Sequence, residues 1–252
     1  ISNTAKQILL YEALDYELPI FSHTPLILNS EGKKLSKRDS VTSIDDFKKL
    51  GYLPEALTNY MALLGWAPNP GENEIQTINQ ISKNFKLDSV NKSGAKFNWE
   101  KLNWINSQYI KKLSLEKLYS LSQKYWIEKG WEEPSKDWGM DLISLLQDSL
   151  VLLNDVVSQS EPFFITPQIS NECKEFLAKD EFQNSISLIY SNLNTRSKTF
   201  DSTDAKNFLE EISKKSKIKK GLLMRSMRIA LFGSLSGPDL IQSWVLISKK
   251  GL

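Results

Sequence analysis

Leu26-Ile27-Leu28-Asn29-Ser30-Glu31-Gly32-Lys33-Lys34-Leu35-Ser36-Lys37-Arg38 is the stretch around which this chain is organised. The apolar triplet Leu26 to Leu28 reads as a short buried strand. Asn29 to Gly32 reads as a turn, because Asn and Gly tolerate the backbone angles of a tight reversal. Four cations and a hydroxyl then fall between Lys33 and Arg38. A strand that delivers a glycine-bearing loop with lysines three apart can grip a polyphosphate. Lysine acts there as a mobile point charge, and loop N–H groups add donors. On charge alone the commoner reading of such a cluster is a solvated surface loop. The rest of the chain must decide between the two.

The chain has 252 residues, 40% hydrophobic and 25% charged, which is globular composition with room for more than one domain. A net charge of +2 says little about partners, so only local charge can argue for nucleic acid. One cysteine, Cys173, rules out an intramolecular disulfide framework and fits a reducing, cytoplasmic setting. A single histidine, His23, leaves no zinc-ligand set and makes Cys–His or Ser–His catalysis a poor fit, so no metal site is expected. No apolar run is long enough to span a membrane. Ile1-Ser2-Asn3-Thr4 has neither the basic end nor the apolar core of a signal peptide. It reads instead as a start inside a longer chain.

Thr4-Ala5-Lys6-Gln7 has capping-box form and predicts a helix to about Leu14. Leu26 to Leu28 cannot make a sheet alone, so its partner strands are expected upstream of residue 1. Ser43-Ile44-Asp45-Asp46 predicts an N-cap with acids in the first turn, and Gly51 predicts the stop. Pro54 opens a helix to Gly65. Thr77 and Asn98 cap two more. From Ser114 onward nearly everything reads as helix. The apolar-rich stretch Met140 to Val157 is expected to run until Glu161-Pro162 breaks it, with Phe163 and Phe164 plugging a core. Further helices are expected at about 171–178, 185–193 and 204–214. Gly221 then precedes a helix over 222–232, and Pro238 starts the last one. The seven tryptophans could include base-stacking platforms, but helical spacing favours core packing for most of them.

A second cationic feature lies between Ile212 and Pro238. Lys214, Lys215, Lys217, Lys219, Lys220, Arg225 and Arg228 occur there without an acid. The block reads equally as a phosphate-backbone footprint or as a solubilising surface. Arg225 and Arg228, three apart, share a helix face. Adjacent acids such as Asp45-Asp46, Glu132-Glu133 and Glu210-Glu211 point to different sides of a helix and form no carboxylate constellation.

Lys34-Leu35-Ser36-Lys37-Arg38 resembles the Lys-Met-Ser-Lys-Ser signature of class I aminoacyl-tRNA synthetases, in the form typical of glutamyl-tRNA synthetases. Ser2-Asn3-Thr4-Ala5-Lys6-Gln7 resembles the family's Ser-Asn-Thr-Pro-Lys-Gln, with Ala5 where proline is usual. Gly51-Tyr52-Leu53-Pro54-Glu55-Ala56-Leu57, Leu63-Leu64-Gly65-Trp66 and Phe97-Asn98-Trp99-Glu100-Lys101-Leu102 are similar in the same way. So are Arg228-Ile229-Ala230-Leu231-Phe232-Gly233, where Phe232 replaces a usual Thr, and Gly237-Pro238-Asp239-Leu240. These matches run in order from end to end.

The resemblance implies a mainly α chain of bacterial type. Residues 1–32 would end a Rossmann-type catalytic domain, and 33–112 would form a stem-contact domain carrying the lysine loop. Two helical anticodon-binding domains would follow at 113–160 and 161–252. It implies a monomeric ligase that activates glutamate with ATP and Mg²⁺ and charges tRNA(Glu). Lys37, Lys34 and Ser36 would act in catalysis and, with Leu26 and Ile27, hold ATP. Arg38, Lys219, Lys220, Arg225 and Arg228 would contact tRNA. The family's His-Ile-Gly-His motif is not in this sequence, so the chain alone is expected not to aminoacylate. A free-standing helical tRNA-binding module without catalysis, or a scaffold with an incidental lysine loop, explains the charge but not the ordered matches.

Overall fold

The computed structural model describes residues 2–35, 43–193 and 201–250. The chain divides into two compact units, Ile1–Asn106 and Ser107–Leu252. The architecture is mainly helical, and the strands amount to one two-residue pair among the described residues. No helix among the described residues is long and apolar enough to cross a membrane.

The first unit contains α1 (Ser2–Ala13), β1 (Ile27–Leu28), α2 (Ile44–Leu50), α3 (Pro54–Gly65), α4 (Ile78–Asn84) and β2 (Ala95–Lys96), and α5 (Trp99–Lys112) begins in it. Local chemistry sets most boundaries. Ser43 Oγ accepts from Asp46 N at 3.1 Å, and Ser43 N donates to Asp46 Oδ2 at 3.2 Å, which completes a capping box for α2. Gly51 ends that helix at φ 93°, in the left-handed region that glycine occupies without a Cβ penalty. Pro54 sits in the first turn of α3, where its missing N–H is harmless. Thr77 and Gln80 form a second capping box, and Asn98 Oδ1 accepts from Lys101 N. The core is aromatic: Phe97 lies 5.0 Å from Tyr60 and 4.8 Å from Trp99, and Phe47 lies 5.6 Å from Tyr52, between ring centroids. Fully buried Asn106 accepts from Leu53 N at 2.9 Å, satisfying a donor that would otherwise be orphaned ahead of α3.

Two expectations for this unit need correction. Thr4 is not a cap: α1 starts at Ser2, and Thr4 Oγ1 lies 3.1 Å from His23 Nε2. The strand does not wait for upstream partners. β1 pairs in parallel with β2, Ile27 opposite Ala95 and Leu28 opposite Lys96, and Phe97 N donates to Leu28 O at 2.8 Å. Gly94 permits the approach, because a Cβ there would come within 2.8 Å of Leu28 Cδ1. Leu26 lies outside the strand and is 57% exposed.

The second unit holds the rest of α5 and eight further helices among its described residues: α6 (Leu115–Glu128), α7 (Lys136–Leu146), α8 (Asp155–Phe164), α9 (Asn171–Leu177), α10 (Asp180–Leu193), α11 (Ser202–Ser216), α12 (Lys220–Phe232) and α13 (Leu240–Lys250). Side chains of Ser114, Ser135, Ser170 and Asp201 cap α6, α7, α9 and α11. Trp126 and Phe163 anchor the core, and their polar neighbours are matched: Trp126 Nε1 donates to Ser160 Oγ, and Trp138 Nε1 to Leu246 O, both at 2.8 Å. Lys250 Nζ donates to the carbonyls of Phe163 and Phe164 at 3.2 Å each, so a cation closes the C-terminus of α8. Burial lowers the pKa of that ammonium.

Several breaks fall elsewhere than expected. The stretch 140–157 divides at a 3₁₀ turn, Gln147–Ser149, where Asp155 Oδ2 accepts from Val151 N and Leu152 N. Pro162 lies inside α8 instead of ending it. Burial of Phe163 and Phe164 holds the helix past the proline, and Ser158, four residues back, is exposed, so its carbonyl can face water. Helix α10 begins at Asp180, earlier than expected. Gly221 is in the first turn of α12, and the break before it falls at Lys217, φ 61°. Pro238 precedes α13, and Asp239 Oδ1 accepts from Gln242 N.

A polar cluster joins α6 to the segment before α7. The Tyr119 hydroxyl donates to Glu133 Oε1, and Gln123 Nε2 donates to the same oxygen at 3.1 Å. Gly139 leaves the space: an added Cβ would lie 2.7 Å from Tyr119 Cε2 and would also collide with the Glu133 carboxylate. Helix propensity alone favours Gly139→Ala by ~1 kcal/mol, whereas overpacking costs ~1–3 kcal/mol. We expect the steric cost to win and the melting temperature to fall, as a thermal scan would report. Burial, then the hydrogen bond and charge of Glu133, push the Tyr119 phenol up to about 12 from an ordinary 10.0. The folded value exceeds the unfolded one, so this stabilisation is complete below pH 10 and is lost as pH rises through 12. Denaturant titrations between those values should show a smaller loss for Tyr119→Phe than for the parent chain.

Candidate functional site

The lysine stretch is built as a hairpin on β1. Asn29 Oδ1 accepts from Glu31 N at 3.1 Å and Lys33 N at 3.0 Å, so one amide side chain organises the turn. Asn29 N donates to Lys33 O at 2.7 Å, and Gly32 takes φ 81°. Lys34 then bridges Leu28 in antiparallel sense, and Leu35 N donates to Ile27 O at 2.9 Å. Thus β1 is the middle element, with Lys34 and Leu35 on one edge and β2 on the other. Lys33 pairs with Glu31 at 2.9 Å; both side chains are exposed, so the pair adds little stability. Lys34 is exposed and makes no ion pair among the described residues. Ser36, Lys37 and Arg38 lie outside the described residues. The chain returns at Ser43, fixed by its capping box.

Leu26 and Ile27 line an apolar groove of about 230 Å³ with Pro25, Met61, Phe85 and Val90. His23 is exposed and paired with Thr4. Of the tryptophans, Trp66, Trp126, Trp138 and Trp244 are buried, and Trp131 stacks on Phe164 at 5.1 Å. Trp99 and Trp104 keep partial exposure, with Lys101 Nζ 4.6 Å from the centroid of Trp104.

In the second unit the basic block is sorted by its partners. Lys220 Nζ meets Glu210 Oε1 at 2.7 Å, and that hydrogen bond and charge hold the Glu210 carboxyl below its usual range. Arg228 is half-buried; its Nη1 donates to Pro238 O at 3.0 Å, and its guanidinium lies over Phe232. Gly237 makes room for this clasp, since a Cβ there would lie 3.3 Å from Arg228 Nη1. Arg225 is exposed, so the two arginines differ in surroundings although they are three apart. Lys217, Lys219 and Arg225 line a groove of about 640 Å³ with Glu181 on its wall and Ile218 and Leu222 as apolar lining. Sequence reading included Lys217 in the block without selecting it and passed over Glu181, which is distant in the chain.

A third feature was invisible in the sequence because separate segments build it. A cleft of about 740 Å³ sets Asp148, Glu161, Ser149, Gln159, Gln168, Ser234 and Ser236 beside apolar Leu145, Ile165, Phe232 and Pro238, with no lysine or arginine among the described lining residues. Its hydroxyl and amide groups can hydrogen-bond base edges and its apolar wall can take a stacked ring, while its two carboxylates oppose phosphate.

Residues 1–104 match the family described as tRNA synthetases class I (E and Q), catalytic domain, and residues 115–251 match the family described as anticodon binding domain. A glutamate–tRNA ligase of Prochlorococcus marinus strain MIT 9515 is 59% identical over 251 residues, which is 99% of this chain and 52% of that protein. One from strain NATL1A is 50% identical, with the same coverage. The chain thus spans about half the length of the curated relatives it matches. Among solved structures, a glutamate tRNA ligase from Elizabethkingia meningosepticum CCUG26117, in complex with its amino acid, superposes with a TM-score of 0.83 at 28% identity, covering 99% of this chain and 53% of that one. A glutamate-tRNA synthetase from Elizabethkingia anophelis gives 0.78 at 28% identity, covering 98% and 52%. With an anticodon-binding match over more than half of its length and a class I catalytic-domain match ahead of it, the chain belongs to the class I tRNA synthetases of the E and Q group.

Proposed function

We propose that this chain serves a glutamate–tRNA ligase, supplying the lysine loop and the anticodon-binding part of an enzyme that activates glutamate with ATP and transfers it to tRNA(Glu). Identity of 50–59% to glutamate–tRNA ligases across 99% of the chain carries this reading. Residues 1–32 close the nucleotide-binding domain, 33–112 form the stem-contact domain, and 113–160 and 161–252 form two helical anticodon-binding domains. The enzyme works as a monomer in the cytoplasm, where the free, buried Cys173 stays reduced.

In the first step a carboxylate oxygen of glutamate attacks the α-phosphorus of ATP, and the bond to the bridging oxygen of the leaving pyrophosphate breaks. Negative charge builds on that leaving group. Lys37, Lys34 and the Ser36 hydroxyl neutralise it, more strongly in the transition state than in the ground state. The hairpin supports this role: Lys34 follows a turn fixed by Asn29 and stands on a hydrogen-bonded edge instead of a free loop. The exposed Leu26 and half-buried Ile27, beside their apolar groove, give the adenine a flat apolar surface. No cluster of His, Cys, Asp or Glu side chains that could hold a metal occurs among the described residues, so Mg²⁺ would come with the nucleotide and would screen its phosphate charge. The terminal ribose hydroxyl of tRNA then attacks the activated carbonyl and AMP leaves. Arg38, Lys219, Lys220, Arg225 and Arg228 are the cations we assign to the tRNA side, and the mixed polar and apolar cleft at Ser149, Ser234 and Phe232 is suited to receive unpaired bases of the anticodon loop.

In an enzyme that joins this chain to a complete nucleotide-binding half, Lys37→Ala should slow pyrophosphate exchange by about 10²–10³-fold, equivalent to ~2.7–4 kcal/mol, and leave glutamate affinity nearly intact. Exchange at the parental rate would remove Lys37 from the mechanism. Asn29→Ala should also lower kcat by freeing the turn, whereas Asn29→Asp, which keeps the acceptor oxygen, should restore most of it. Equal rates for both variants would show that the turn does not position Lys34.

A further inference from the structure

One wall of the mixed cleft in the second unit is a single short segment. Ile165, Thr166, Pro167 and Gln168 line the cleft directly after α8 ends. The far end of this segment is fixed by backbone: Ser170 N donates to Gly233 O at 2.9 Å, and a Cβ on Gly233 would lie 2.1 Å from Gln168 O. The near end has less to hold it. Ile165 N still reaches Glu161 O at 3.0 Å, but a helix leaves its last carbonyls without partners of its own. The amide that would serve Phe163 O in a longer helix belongs to Pro167, which has no N–H. Lys250 fills this gap, its Nζ donating to Phe163 O and Phe164 O at 3.2 Å each.

Lys250 is held for this task. Leu246, four residues back on the same face of α13, accepts from Trp138 Nε1 at 2.8 Å. The ammonium lies 4.6 Å from the centroid of Phe164, whose ring stacks on Trp131. Its partners among the described residues are carbonyls and rings, and it is not among the residues lining the cleft. We propose that Lys250 is a positioning residue for base recognition: by closing the Phe163 and Phe164 carbonyls it holds the Ile165–Gln168 wall in the shape that accepts anticodon bases, without touching tRNA. The inference rests on the reading of the cleft as the seat of those bases and adds the group that shapes it. A wall ordered in advance spares the bound state the cost of ordering it. Charge at Lys250 thereby governs which loop is bound, not how strongly phosphate is held.

The test compares binding of two labelled transcripts to the full chain by anisotropy over a series of salt concentrations: tRNA(Glu), and the same RNA with abasic anticodon positions. The parent should prefer the intact transcript by about tenfold or more, the loss expected when stacked bases are removed. Lys250→Met should erase most of that preference and keep the slope of log affinity against log salt, whereas losing a phosphate contact would lower the slope by about 1. Lys250→Arg, whose fork supplies donors for both carbonyls, should retain the preference. Ile189→Val, a core truncation on α10, should lower the melting temperature and leave the preference alone, which separates wall position from stability. If Lys250→Met does not fold, Lys250→Gln, neutral and one bond shorter, takes its place with the same expectation. A folded neutral variant that keeps the preference, a fall in its salt slope, or equal loss in Lys250→Arg overturns the proposal and leaves the ligase reading standing. A parent that binds both transcripts equally removes the base-reading role of the cleft and the proposal with it. A parent that binds no tRNA at any salt overturns the ligase reading as well.

Discussion

The carbonyl groups of Ile27 and Leu28 are the acceptors on which the first unit depends. A two-residue strand has too few hydrogen bonds to persist alone, since ordering each backbone residue costs ~1–2 kcal/mol against ~0.5–1.5 kcal/mol gained per hydrogen bond. Here both edges are used. Leu35 N reaches Ile27 O and Phe97 N reaches Leu28 O. The second bond leads directly into the aromatic cluster, because Phe97 packs on Tyr60 and Trp99. Burial of large rings therefore holds β2, β2 holds β1, and β1 holds the edge that carries Lys34. The lysine is exposed, yet it stands one hydrogen-bonded step from a packed core. The catalytic role we propose for Lys34 benefits from this arrangement, because charge placed in advance need not be ordered during the reaction.

The second unit shows how a helical fold assigns different work to identical side chains. Along the sequence Lys217, Lys219 and Lys220 are near neighbours with the same chemistry. In space Lys220 faces Glu210 on α11, while the other two face the groove. Arg225 and Arg228 diverge similarly, because half-burial of Arg228 requires its guanidinium to find acceptors, and the Pro238 carbonyl and the Phe232 ring supply them. Lys250 is an extreme of the same rule. Its ammonium sits against Phe164 and closes two helix-end carbonyls, at the cost of a lowered affinity for its proton.

Much of this was legible in the sequence where the determinant is local. Ser43 with Asp46, Gly51, Pro54, Thr77 and Asn98 act within a few residues, and each boundary they predicted is present. Non-local determinants were not legible. Ala95–Lys96 is too short to show a strand period, so the partner of β1 could be found only in space. Pro162 should break a helix by propensity, and burial of the two following phenylalanines overrides it. Gly221 looked like a break because glycine usually is one, whereas the turn is made by two serine hydroxyls and by Lys217 in a glycine-like conformation. For the candidate sites, Lys34 was visible through its motif. The pairing that removes Lys220 and Arg228 from the groove, and the polar cleft assembled from separate segments, exist only after folding.

Amide hydrogen exchange, resolved by residue in this chain, tests the central claim most directly, namely that the lysine hairpin is held by this chain's own ladder and core. The account predicts slow exchange at Leu35 N and Phe97 N, within about an order of magnitude of the α3 amides, because opening either requires disturbing the Phe97 cluster. Exchange of both at the rate of an unprotected loop, with α3 still protected, would contradict it.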